Sequence, residues 1–238
     1  MNNTSNLTVL QINDTHGYLD LHLEWMAGPH QPVYRSVGGF VRIATLARQI
    51  REETQGQMLF CDNGDTFHGT QPVVQSQGEI AVPILNQLGL NAMTVHWDFA
   101  YGPKRLKRLA SRLKYPVLAI NIYDPKTGQT FFPPYAVQEV GGLKIGIIGI
   151  ASNIVDKTMP PSFSGGLRFT DGREELTGFI EEVRARGADL VVVLSHLGFP
   201  QDMKLISEVS GVDVLLRGHT HHRAAARFSD RRRSCGRE

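Results

Sequence analysis

The sequence predicts an α/β fold, and three observations carry that expectation. Short apolar runs that read as buried strands recur at residues 7–12, 58–61, 92–95, 189–194 and 212–216. Segments of helical period separate them, which is the alternation of an α/β chain. Each of the five runs is followed at once by side chains able to bind metal: Asp14 and His16, Asp65, His96, His196, and the pair His219 and His221. Ligands in open α/β folds gather beyond the carboxyl ends of strands, so these remote residues are expected to share one crevice.

Taken in order, strand 7–12 delivers Asp14 and His16, and a loop containing Gly28, Pro29 and Pro32 follows, long enough to lie over a site. A helix over 39–54 has Phe40, Ile43, Ala47 and Ile50 on one face and Arg42, Arg48, Arg51 and Glu52 outside. Strand 58–61 runs into Asp62-Asn63-Gly64-Asp65, turn chemistry ahead of a carboxylate. A short helix near 79–88 precedes strand 92–95. Pro103 opens the next helix, to about residue 113, whose basic face reads as solvated. Strands are expected at 117–121, 135–140 and 144–150. A helix over 173–186 takes Asp171 as N-cap and Gly187 as stop. Strand 189–194, a helix around 203–209 and strand 212–216 complete the pattern.

Mixed imidazole and carboxylate ligands suit Mn, Zn or Fe better than Ca or Mg. One carboxylate can bridge two cations, so seven groups suffice for a dinuclear centre, and such a centre activates water near neutral pH. The chain therefore reads as a metal-dependent hydrolase. Its bulk properties agree: 238 residues, 41% of them hydrophobic, can bury one large core or two small ones. The net charge of +2 misleads, because residues 223–238 carry six arginines against Asp230 and Glu238. The rest of the chain is then net negative, and nucleic-acid binding is not expected. Cys61 and Cys235 fit neither a disulfide framework nor a structural zinc spacing. The N-terminus shows no signal peptide and no segment approaches a membrane span, so the chain as written reads as cytoplasmic and without a membrane partner. Residues 1–222 are expected to form one catalytic domain, with 223–238 a basic, disordered tail.

These residues resemble the calcineurin-type metallophosphoesterases, and within them the bacterial 5′-nucleotidase and cyclic-nucleotide phosphodiesterase branch. That family's pattern is D-x-H, G-D, G-N-H-E/D, a lone His, and G-H-x-H. Asp14-Thr15-His16, Gly64-Asp65, His196 and Gly218-His219-Thr220-His221 match four blocks in order. The resemblance implies a four-layer αββα sandwich of two mixed sheets flanked by helices. It implies two divalent transition metal ions, the first on Asp14, His16 and His221, the second on His196 and His219, with Asp65 bridging. A hydroxide held between them would attack a small-molecule phosphate ester, a nucleotide among them. Asp65, His96 and Asp98 are the catalytic candidates, and Asn121 is a substrate-binding candidate at the end of a buried strand. His68 reads as a loop residue.

The third block departs from the family. The chain has Val95-His96-Trp97-Asp98-Phe99-Ala100-Tyr101-Gly102, so His96 replaces the ligating asparagine. Trp97 replaces the histidine that would protonate the leaving group, and Ala100 the aspartate that would orient that histidine. The His-Trp form is also similar to the sulfate thiohydrolases of bacterial sulfur oxidation, relatives that are exported and act on a carrier-protein arm. With no export signal in the chain, the nucleotidase-like branch is preferred. A further alternative is a weakly active metal-binding fragment, because the text changes abruptly at Arg223, as a truncation or frameshift would make it.

Overall fold

A computed structural model describes residues 6–28 and 30–221. The expected tail at 223–238 and Pro29 of the expected loop lie outside the described residues. The elements run β1 (Thr8–Ile12), β2 (Leu21–Met26), β3 (Val33–Gly38), α1 (Phe40–Glu53), β4 (Met58–Asp62), α2 (Gln71–Gln75), α3 (Ala81–Leu85) and β5 (Ala92–Met93). A 3₁₀ turn over Trp97–Tyr101 leads to α4 (Pro103–Ala110), β6 (Ile122–Tyr123), β7 (Tyr135–Val140), β8 (Leu143–Ile150), α5 (Val155–Thr158) and α6 (Pro161–Ser164). Then come β9 (Arg168–Phe169), α7 (Arg173–Ala185), β10 (Leu190–Ser195), α8 (Phe199–Glu208) and β11 (Val214–Arg217).

Two sheets organise the chain. One is parallel, in the order β1-β4-β5, and the other is mixed, in the order β11-β10-β8-β7, with β7 antiparallel to β8. Strand periodicity decides what each face meets. On β4, Leu59 and Cys61 turn inward to join Ile145 and Ile147 of β8 and Val192 and Leu194 of β10 in one fully buried cluster between the sheets. Met58 and Phe60 turn the other way and pack with Phe40 and Ala47 of α1, Leu85 of α3, and Leu106 and Leu109 of α4. On the far side, Ile148, Val191 and Val193 pack with Leu176, Ile180 and Val183 of α7 and Leu205 of α8. The result is helix, sheet, sheet, helix, as the resemblance implied. Each helix docks through one apolar stripe, and each central strand is apolar on both faces because both are covered.

The structure corrects several local expectations. Residues 117–121 are not a strand of either sheet. Their backbone crosses from one sheet to the other, with Leu118 N donating to Met93 O, Ala119 N to Pro133 O and Ile120 N to Gly149 O. The segment expected as a loop after β1 is a hairpin, β2 paired antiparallel with β3. Its alternating pattern carries Leu21, Leu23 and Trp25 on an exposed face, the reverse of a strand that buries its apolar side. Helix α7 is capped by Gly172 in the left-handed conformation, and Asp171 Oδ1 instead accepts from Arg173 N. Cys61 is free and buried. No helix among the described residues is long and apolar enough to cross a membrane.

The crossing segment sets a strict spatial demand on β8. A Cβ at Gly149 would lie 2.2 Å from Leu118 O and 2.5 Å from its carbonyl carbon, atoms of backbone that cannot swing aside. Gly149→Ala is therefore expected to lower unfolding free energy by about 2–3 kcal/mol in urea titrations. Gly178→Ala, inside α7 with open space around the new methyl, is expected to raise it by about 0.5–1 kcal/mol. Equal effects of the two would contradict the packing described.

Candidate metal centre

Every parallel strand that delivers a predicted ligand ends on the same crevice. Asp14 and His16 follow β1, Asp65 follows β4, His96 follows β5, His196 follows β10, and His219 and His221 follow β11. Two side chains tie the sheets together just beneath it. Asn63 Nδ2 donates to Ser195 O and Leu216 O, and Gln11 Nε2 donates to Arg217 O. Asn63 O in turn meets His196 Nδ1 at 2.5 Å, which leaves Nε2 of that ring facing the crevice.

The backbone there is bent in a way few side chains accept. Asp14, His16, Asp65, His219 and His221 all have positive φ, between 46° and 80°. Asp and His tolerate this region better than branched residues do, at a cost of about 1 kcal/mol or more each. Residues two apart in an extended Gly218-His219-Thr220-His221 share one face, so alternation alone sends both histidines the same way, and the left-handed turns at 219 and 221 set how they enter the site. Gly218 lets this loop close, since a Cβ there would lie 3.0 Å from His196 Nδ1 and 3.2 Å from Asp14 Oδ2.

The side chains form three overlapping groups with ligand atoms within 4.8 Å of one another: Asp65, His96, His196 and His219; Asp14, His16 and His221; and His16, Asp65 and His68. Asp65 links the first group to the third, and His16 links the third to the second. His96 Nδ1 lies 3.3 Å from the Asp65 carboxylate, His196 Nε2 3.4 Å from Oδ2 and His68 Nε2 3.5 Å from Oδ1, while Trp97 N–H donates to Oδ1 at 2.6 Å. His221 Nε2 lies 3.2 Å from Asp14 Oδ1 and 3.0 Å from His16 Nε2. Asp14 also accepts from His219 N through both oxygens.

This donor set fits divalent metal. The Nε2 atom of His96 is buried and lacks a hydrogen-bond partner, a costly arrangement for a polar atom, while that of His196 is met by the carboxylates of Asp65 at 3.4 Å and Asp14 at 3.7 Å. Burial acts to raise the Asp65 pKa, yet the close approach of His196, His68 and His96 outweighs it and holds the carboxyl well below the usual range. Burial acts to lower that of His196, but Asp65 and then Asp14 push it up to about 9. Burial, with His96 and His196 beside it, lowers His219 to about 4, and burial also lowers His16. Neutral imidazoles and an ionised carboxylate are the states that ligate, so an arriving cation would displace the His196 proton.

Comparison with known proteins places this geometry. A model of the calcineurin-like phosphoesterases matches residues 7–223. The chain belongs to the calcineurin-like phosphoesterase family. It is similar to a probable 5′-nucleotidase of Treponema pallidum, 28% identical over 221 residues, covering 91% of this chain and 37% of that protein. Among solved structures it resembles the sulfate thiohydrolase of Thermus thermophilus, with TM-score 0.82 and 25% identity over 93% of this chain and 49% of the other. A 5′-nucleotidase precursor, also of Thermus thermophilus, is similar with TM-score 0.79 and 31% identity, covering 90% of this chain and 41% of the other. The chain thus spans less than half the length of each of these relatives.

Within the family frame, two expected site residues have other tasks. Asp98 does not face the reacting region. Its carboxylate is fully buried and accepts four backbone N–H groups, from Asp65 and His96 at Oδ2 and from Thr66 and Phe67 at Oδ1, at 2.9–3.1 Å. It is a brace that ties the loop carrying Asp65 to the loop carrying His96. Asn121 is likewise engaged with backbone, donating to Ala151 O and Thr170 O and accepting from Ala151 N. It locks the crossing segment and is not free to hold substrate. Conversely, His68 stands inside the site, with His16 Nδ1 at 3.1 Å and its ring stacked on Trp97 at a centroid distance of 5.3 Å. The sequence signal for His68 was its place three residues after Asp65 in a tight Gly-Asp turn.

Asp98→Asn is expected to turn an amide donor against two backbone N–H groups and to destabilise the fold by about 3 kcal/mol. Equilibrium unfolding of this variant within about 0.5 kcal/mol of the parent would contradict the brace.

Proposed function

We propose that this chain hydrolyses phosphate esters, nucleotides among them, at a dinuclear divalent-metal centre. The observation that carries the reading is Asp65, whose carboxylate belongs to two ligand groups at once, one with His96, His196 and His219 and the other with His16 and His68. His96, His196 and His219 with Asp65 would hold one ion, and Asp14, His16 and His221 with Asp65 the other. Such ions supply Lewis-acid charge at a phosphoryl oxygen and acidify water to near neutral pH. The chain itself contributes rigidity. Asn63 fixes the His196 ring, the Trp97 N–H fixes Asp65, and the Asp98 brace holds both loops in place before substrate arrives. The 5′-nucleotidase relatives support nucleotides as substrates, and the His-Trp variant supports a particular leaving group.

Trp97, partly exposed beside the centre, has no proton to give at neutral pH. General acid help is worth about 10²–10⁴ in rate, so esters with acidic leaving groups are favoured over alkyl esters. The same feature favours one second reading, hydrolysis of a sulfur ester whose thiol leaves without assistance, in keeping with the likeness to a sulfate thiohydrolase.

Assays with Mn²⁺ or Zn²⁺ on bis(p-nitrophenyl) phosphate, AMP and cyclic nucleotides test this. The expected result is turnover with the p-nitrophenyl ester fastest, falling by at least about 10²-fold in Asp65→Ala. Release of sulfate from a thiosulfonate with no turnover of any phosphate ester would move the assignment to the second reading. Fewer than one transition metal ion per chain would contradict both.

A further inference from the structure

The metal-centre reading leaves one imidazole unassigned, and its contacts define a task for it. His68 lies on the loop after Asp65, partly buried, with one ring face stacked on the Trp97 indole at a 28° interplanar angle. Trp97 is itself held by an edge contact with Phe163 at 5.8 Å. His68 is thus fixed in orientation, and its Nε2 is aimed at His16 Nδ1 at 3.1 Å. The other nitrogen of His16, Nε2, lies 3.0 Å from His221 Nε2, within the group formed with Asp14.

Proton counting gives the direction of that contact. An imidazole ligates through an unprotonated nitrogen, so a His16 that binds through Nε2 keeps its single proton on Nδ1. Nδ1–H then donates to His68 Nε2, which in the ion-loaded site must be bare, with the His68 proton on its own Nδ1; the longer 3.5 Å approach of Nε2 to Asp65 Oδ1 then carries no hydrogen bond, that carboxylate being turned to the ions. The reverse donation would require an imidazolate at His16. An imidazole cannot serve the triad of His16, Asp65 and His68 through Nδ1 and that of Asp14, His16 and His221 through Nε2 with one proton still in place.

We propose that His68, packed under Trp97, is a positioning residue that holds His16 through Nδ1 so that Nε2 is presented with Asp14 and His221 as ligands of the first ion. The indole that stands where the family has a histidine is thereby given a structural partner in the same site. Partners of this kind typically change metal affinity by about 10–100-fold when removed. The inference rests on the metal-centre reading of the preceding subsection.

Titration calorimetry of the parent with Zn²⁺ comes first. A parent that takes up no ion overturns the metal-centre reading and this inference with it, before any substitution is made. With binding established, His68→Ala is expected to weaken one of two binding steps by about 10–100-fold and to leave the other within about threefold. His68→Gln, whose Oε1 can accept from His16 Nδ1–H, is expected to recover the parent affinity to within about threefold. A purely structural role would not make this distinction between Gln and Ala. Nitrogen-15 spectra of the Zn²⁺-loaded parent should show His16 and His68 both protonated at Nδ1, and this measurement decides alone should His68→Ala fail to fold. Unchanged affinity in His68→Ala, equal loss in Gln and Ala, or a His68 proton on Nε2 would each overturn the proposal.

Discussion

The rest of the structure depends on one buried carboxylate being reached from two sheets at once. Asp65 sits at the tip of β4 with three imidazoles within 3.5 Å, and those imidazoles come from its own loop, from the tip of β5 and from the tip of β10 in the other sheet. Such convergence is electrostatically demanding, since several histidines and two aspartates must share a small volume. It holds because the sheets are locked beneath the crevice by Asn63 and Gln11 and packed between by a dry cluster that includes Leu59, Ile147 and Val192. Five of the gathered residues accept left-handed backbone to reach that geometry.

Much of this was legible in the sequence, for a physical reason. Buried strands in an α/β chain announce themselves as short apolar runs, and parallel strands put their carboxyl ends on one side of the sheet. Asp14, His16, Asp65, His96, His196, His219 and His221 are all brought to the crevice by that rule. The rule fails where residue type and position do not separate tasks. Asp98 and Asn121 are polar residues at the ends of apolar segments, as ligands are, but their side chains bond backbone. Only the three-dimensional path of the neighbouring N–H and C=O groups distinguishes the two cases. The hairpin of β2 and β3 was hidden for another reason. Gly28, Pro29 and Pro32 read as a loop, and the apolar residues Leu23 and Trp25 face outward, so no core-facing side marked the strands.

The departure at Trp97 has consequences beyond the loss of a proton donor. The indole stacks on His68 and meets Phe163 edge-on, so the position has changed from chemistry to support. His96 has changed in the opposite direction, becoming a buried imidazole against Asp65 where the family pattern has an amide. Binding and leaving-group chemistry are thus separable here. The ligand set is compact, and under the proposed function reduced help to the departing group would favour substrates whose leaving group needs little.

The central claim is that Asp65 stands between two cations. Anomalous diffraction from Mn²⁺-loaded crystals tests it most directly. The account predicts two peaks on opposite sides of the Asp65 carboxylate, one bordered by His96, His196 and His219 and the other by Asp14, His16 and His221. A single peak, or two peaks neither of which touches Asp65, would contradict it.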